Sequence, residues 1–202
     1  EQYVTNQRSR QWNPDSGTWS AALASDPARR SYHSTAILLP DGRVLSAGGE
    51  LQGGDNTTHN PFYDKFTIYC PPYLFSGDTL ATRPTLSGVA DTIAYGRRFT
   101  VCTPDPATIS SACLIRPGAV THGYNQDQRY IPLTLEDQCS GQLVVDAPVD
   151  ANQAPAGYYL LFILNNSGVP AVAEWVRLLP GVAPLDDCDA IRPYKVTDLY
   201  GS

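Results

Sequence analysis

The chain has no methionine, only three histidines and very little lysine, and no apolar run approaches the roughly eighteen residues that a membrane helix needs. Without a methionine the 202 residues cannot begin at their own translation start, so the expectation is a piece of a longer protein. No charged stretch followed by an apolar one stands at the start in the manner of a targeting segment. Lys and Arg together number 14 against 20 Asp and Glu, giving a net charge of -6 and a pI near 4.9. The arginines are scattered, never more than two together, and form no stripe able to neutralise phosphates, which argues against a nucleic-acid partner, as the missing apolar run argues against a membrane one. Five cysteines include no CxxC pair and no Cys/His cluster at zinc spacing, so they read as one or two disulfides in an oxidising compartment. Cys102 and Cys113 flank a turn-rich stretch between two strand-like runs, where antiparallel pairing could bring them together; buried reduced thiols are the alternative. Cys70, Cys139 and Cys188 then include at least one thiol that is free or bonded elsewhere. Sequons at Asn56 and Asn165 fit secretion but also arise by chance.

What is abundant is turn and strand chemistry. With 17 Pro and 16 Gly, short runs rich in Val, Ile, Thr and aromatics, and no stretch at helical period, the sequence reads as all-β. Turn signals stand at Asn13-Pro14-Asp15-Ser16-Gly17, Pro40-Asp41-Gly42, Gly48-Gly49 and Asn165-Asn166-Ser167-Gly168. From about residue 66 strands recur evenly, at 66–69, 98–102, 113–116, 142–146, 158–164 and 171–178, a spacing that suggests a seven-stranded sandwich. In two of these runs Phe99 with Val101, and Leu143 with Val145, fall on one face, as a half-buried sheet requires.

Residues 1–50 have a different pattern: Trp12-Asn13-Pro14, Gly17-Thr18-Trp19, then Leu39-Pro40-Asp41-Gly42-Arg43-Val44 and Gly48-Gly49. This resembles one Kelch repeat, and implies a single four-stranded propeller blade with Trp12 and Trp19 in its core. A propeller needs about four to eight blades, so the others are expected upstream. The organisation expected is a last Kelch blade and connecting loop over 1–65, an immunoglobulin-like β-sandwich over 66–180 and a tail over 181–202.

Of the histidines, His33 follows Tyr32 directly, while His59 and His122 stand alone. Read from the residues alone, a Tyr-His pair is most simply a packed aromatic beside a hydrogen-bonded imidazole. Strand neighbours also point to opposite faces, so Tyr32 and His33 could share a metal only where the pleat is broken.

Three segments change that reading. Residues 30–44, Arg-Ser-Tyr-His-Ser-Thr-Ala-Ile-Leu-Leu-Pro-Asp-Gly-Arg-Val, are similar to the last-blade motif of the galactose oxidase and glyoxal oxidase family. Residues 120–133, Val-Thr-His-Gly-Tyr-Asn-Gln-Asp-Gln-Arg-Tyr-Ile-Pro-Leu, look like a second family motif on a loop of the C-terminal domain. Gly157-Tyr158-Tyr159-Leu160-Leu161-Phe162, with Gly168-Val169-Pro170 and Ala173, resembles the strands that close that domain.

The resemblance implies a secreted copper radical oxidase that converts a primary alcohol or aldehyde while reducing dioxygen to hydrogen peroxide. Tyr32 matches the axial tyrosine that accepts the substrate proton, and His33 and His122 match the two equatorial copper ligands. The cross-linked tyrosine-cysteine that holds the radical is expected from the N-terminal propeller portion, the implied partner alongside a small alcohol, aldehyde or carbohydrate substrate. This chain departs from galactose oxidase after the double glycine, where residues 50–59 carry no cysteine; His59 there has no ligand counterpart. Asp127 and Arg129 are read as a brace for the loop bearing His122. Two alternatives stand: a non-catalytic glycan- or protein-binding module with a relic metal site, and a processed subunit docked on its N-terminal half.

Overall fold

The computed structural model describes residues 8–28, 30, 32–50, 65–122, 124–139 and 141–181. The side chains of Tyr32, Glu50 and residues 137–139 fall outside that description, as do Asn56, His59, Cys188 and the expected tail. The described chain is built of strands: β1 (Trp12–Asn13), β2 (Thr18–Trp19), β3 (Tyr32–Leu38), β4 (Val44–Glu50), β5 (Thr67–Tyr69), β6 (Phe75–Ser76), β7 (Thr79–Leu80), β8 (Gly88–Val89) and β9 (Thr92–Ala94). They continue as β10 (Arg98–Cys102), β11 (Ile109–Arg116), β12 (Ala119–Thr121), β13 (Tyr124–Gln126), β14 (Arg129–Cys139), β15 (Gln142–Asp146), β16 (Gly157–Asn165) and β17 (Glu174–Leu179). Two single 3-10 turns, Pro72–Leu74 and Pro106–Thr108, are the helical elements among the described residues, and no helix is long and apolar enough to cross a membrane.

Two compact units result. One comprises 1–37, 44–69 and 119–126; the other comprises 38–43, 70–118 and 127–202. The division is therefore no single cut: the tip of the β3–β4 hairpin belongs to the second unit, and the β12–β13 hairpin belongs to the first.

In the first unit, β1 and β2 form a hairpin whose turn is closed by Asn13, whose Oδ1 accepts from the backbone N–H groups of Asp15 and Ser16. Trp12 and Trp19 face each other across it with ring centroids 5.1 Å apart, and both are exposed, by 49% and 61%. The two-residue strands pair only with each other among the described residues, and the expectation that the Trp residues pack between blades concerns neighbours that this chain does not include. The three-stranded sheet β3-β4-β5 is the body of this unit. Gly48 and Gly49, expected at a turn, lie inside β4 with φ of 68° and 105°, so they break the pleat within a strand.

The second unit is one curled sheet of eight strands in the order β8-β10-β15-β14-β11-β16-β17-β9. Of the expected runs, 66–69 is β5 and lies in the other unit's sheet, while the remaining five fall here as β10, β11, β15, β16 and β17. The strands not expected are β8, β9 and β14, and β14 runs for 11 residues. Its first half pairs with β11 and its second with β15, and the register shifts between Leu135 and Asp137, where the strand turns from one layer to the other. β8 and β9, at opposite edges, are joined only by Ala90 and Asp91, so the curl brings the edges side by side. The main core lies inside the curl, with Val101, Leu114, Leu143, Leu161 and Val176 all at 0% exposure. As the alternation predicts, Phe99, Val101, Leu143 and Val145 point into it. β16 is buried on both faces: Tyr159, Leu161 and Ile163 enter that core, while Leu160 and Phe162 join Cys113 and Ala173 in a second cluster. The turn at 39–43 closes as expected, with Gly42 at φ 76°, and Ala173 donates to the Pro40 carbonyl.

Cys102 and Cys113 are not paired. Cys113 is a free thiol buried on β11, and β10 is separated from β11 by β15 and β14; Cys102 is disulfide-bonded. Burial pushes the Cys113 thiol up to about 12. At pH 8 iodoacetamide is therefore expected to label exposed Cys70 in the native protein and spare Cys113 until urea is added, read by peptide mass. Native labelling of Cys113 would contradict its burial. The Asn165 side chain braces its own turn, accepting from Ser167 and Val169 N–H groups at 3.0 Å and donating to the Thr82 carbonyl, an arrangement that a glycan on its amide nitrogen would disturb.

Candidate functional site

The site is assembled from β3 and from the β12–β13 hairpin, both in the first unit. At β3 the strand pleat is interrupted: His33 has φ 62°, the left-handed region that costs a non-glycine residue about 1–3 kcal/mol. The rule that would send residues 32 and 33 to opposite faces therefore does not hold through this point. The second histidine is placed by a tight connection. Thr121 pairs with Tyr124, leaving a two-residue turn in which His122 has φ 53°, as the favoured hairpin turns demand. Asn125 donates to the Ala36 carbonyl at 3.4 Å and so ties this hairpin to β3.

The outcome is that two exposed imidazoles meet. The His33 and His122 rings lie edge to face with centroids 4.6 Å apart and planes at 71°. Thr121 Oγ1 is 2.7 Å from His122 Nδ1. The tautomer in which Nδ1–H donates to that hydroxyl leaves Nε2 as the acceptor of the ring, the arrangement that orients metal-binding histidines. Tyr32 contributes its backbone to β3 but its side chain lies outside the described set, and so does His59. Among the described residues no group of three or more His, Cys, Asp and Glu side chains is arranged to hold a metal.

Asp127, also left-handed at φ 62°, pairs with Arg116 at 2.7 Å. The expected Asp127–Arg129 brace is replaced because Arg129 sits opposite Arg116 across the β11–β14 ladder, and it is Arg116 that reaches the carboxylate. Arg116 also donates to the Pro155 carbonyl and lies over the Tyr159 ring.

Beneath β3 and β4 lies a buried hub that sequence reasoning missed. The Asp26 carboxylate accepts from Ala28 N–H, Arg30 Nε, Ser46 Oγ and Thr67 Oγ1. Burial works to raise the Asp26 pKa, but the hydrogen bonds from Ala28, Thr67 and Arg30 outweigh it and hold the carboxyl below its ordinary value. Tyr69, half-buried beside Asp26, is pushed up to about 12 by that partial burial and by the Asp26 charge. The signal was Arg30 itself, which stands in the quoted motif three residues before His33.

The galactose oxidase-like, early set domain family matches residues 83–178, most of the curled sheet. Residues 83–178 belong to that family. This galactose oxidase-like chain is 42% identical to a galactose oxidase from Gibberella zeae over 151 residues, 74% of this chain and 21% of that protein. It is 34% identical to the aldehyde oxidase GLOX of Vitis pseudoreticulata over 171 residues, 75% of this chain and 30% of that one. Among solved structures, a copper-bound fungal alcohol oxidase of the AA5 family superposes with a TM-score of 0.76 at 34% identity, over 86% of this chain and 36% of the other. The chain thus spans about a fifth to a third of the length of these relatives.

Proposed function

We propose that this chain is the C-terminal part of a secreted copper radical oxidase that oxidises a primary alcohol or aldehyde to the next oxidation level and reduces dioxygen to hydrogen peroxide. The observation that carries the reading is the His33–His122 pair, two imidazoles on left-handed backbones set edge to face at 4.6 Å. It is supported by likeness to oxidases of both substrate classes. The residues fit copper: two ring nitrogens completed by a phenolic oxygen make the mixed N,O set that Cu(II) takes. Tyr32, His33 and His122 would hold the metal, which when bound supplies a one-electron acceptor beside a cross-linked tyrosine-cysteine radical from outside this chain. His33 and His122 fix two donor positions through their constrained backbones. Tyr32 receives the substrate hydroxyl proton, since a coordinated phenol has its pKa lowered towards neutrality. In this reading the first unit is the last Kelch blade and its partner is the N-terminal propeller portion. A disulfide-bonded Cys102 suits the oxidising compartment that secretion implies.

A second reading, a non-catalytic glycan-binding module, is favoured by the exposed Trp12–Trp19 pair, which offers two aromatic faces. Elemental analysis of the full-length protein, with the intact mass of every chain present, separates the two. About one copper per protein, a chain two hydrogens lighter than its sequence and peroxide formed with a primary alcohol or aldehyde would support the oxidase. Absence of copper after loading with Cu(II) would overturn it and leave the binding module.

A further inference from the structure

We infer that Arg30 is a positioning residue for the imidazole pair: anchored by Asp26, it fixes the Gly48 peptide against the His33 carbonyl and so holds His33 in the backbone conformation from which its ring meets that of His122. The inference rests on the copper-site reading above and names the element that preorganises it.

Each edge of the Arg30 guanidinium has an assigned acceptor. Nε donates to Asp26 Oδ2 at 3.0 Å, Nη1 to the Gly48 carbonyl at 3.0 Å, and Nη2 to the Lys65 carbonyl at 3.2 Å and Thr67 Oγ1 at 3.4 Å. The Arg30 and Asp26 side chains are only 7% and 8% exposed. A buried ion pair is weak evidence for stability, since desolvation offsets its attraction, and its best use is to set geometry. Here one planar fork spans β4 and the start of β5, a task that the compact charge of lysine cannot perform.

The geometry it sets runs directly to the site. Gly48 is left-handed at φ 68°, and a Cβ built there would stand 2.7 Å from the His33 carbonyl oxygen. Only glycine permits that approach. The Gly48 peptide is thus held on one side by Arg30 and abuts the His33 carbonyl on the other. His33 would leave φ 62° for a commoner conformation if Gly48 were free to shift, because L-residues pay for the left-handed region. The relay from Asp26 to Arg30, Gly48 and His33 explains why the interior of β4 carries a glycine at 48, and why an arginine is buried just before β3.

The test compares Arg30→Lys, Gly48→Ala and Leu161→Ala in the full-length protein. Cu(II) affinity is measured by chelator competition, the site by the Cu(II) electron paramagnetic resonance spectrum, and folding by thermal melting; in the metal-free protein, the nuclear Overhauser contact between the two imidazoles reports their approach. Arg30→Lys and Gly48→Ala are expected to weaken Cu(II) binding roughly 10-fold or more, change the spectrum and lose the ring contact. Leu161→Ala, which cuts into the main core and touches neither the Arg30 fork nor Gly48, is expected to lower the melting temperature and leave the spectrum as it was. Arg30→Lys with wild-type affinity and spectrum, or changes that merely follow melting temperature in all three variants, would overturn the inference while leaving the copper site intact. Wild-type protein that binds no Cu(II), or binds it equally well after His33→Ala, would overturn both.

Discussion

Glycine in place of His122 is expected to lower oxidase turnover and Cu(II) affinity of the full-length protein by more than about 100-fold, the upper range for supporting residues around a metal, while thermal stability stays level or rises. The opposite signs follow from the backbone. His122 is exposed on a two-residue turn at φ 53°, so its ring contributes little packing. A left-handed L-residue costs about 1–2 kcal/mol, and glycine removes that cost at the expense of about 0.5–1 kcal/mol of chain entropy. The same substitution at His33 should behave alike. Steady-state peroxide release, chelator competition and calorimetric melting of one preparation decide the matter. A variant that melts much lower would show His122 to be structural, and one that keeps its copper would remove it from the site.

Leu161→Ala should have the largest effect on stability. Leu161 is fully buried in the main core, opposite Leu114 on β11 and Glu174 on β17. Truncation there leaves a cavity in a close-packed interior and costs about 2–5 kcal/mol, against a total of about 5–15 kcal/mol for a typical domain. Urea unfolding followed by circular dichroism should show an earlier midpoint with an unchanged slope. A loss below about 1 kcal/mol would mean that the curl can collapse onto the gap, contrary to the packing that its zero exposure describes.

What the sequence revealed and what it hid have physical reasons. The runs at 98–102 and 142–146 were legible because one face is apolar, and 158–164 because both faces are. β14 was hidden by Pro132 and by polar residues on its outer face, since proline argues against a strand interior. The curl was hidden because a strand shared between two layers looks locally like any other. His33 and His122 were legible through the quoted motifs, but their left-handed backbones and the relay through Gly48 depend on residues far apart in sequence.

The short connection from β8 to β9 has a consequence for solubility. A sheet normally ends in rows of unpaired amide groups that a second chain can extend. Here the two end strands are the shortest of the eight, 2 and 3 residues long, and two intervening residues stitch them side by side. An incoming strand would find at most one or two ladder positions on either side before meeting the opposite border. The two borders of the early set domain therefore offer almost no template for fibrillar growth.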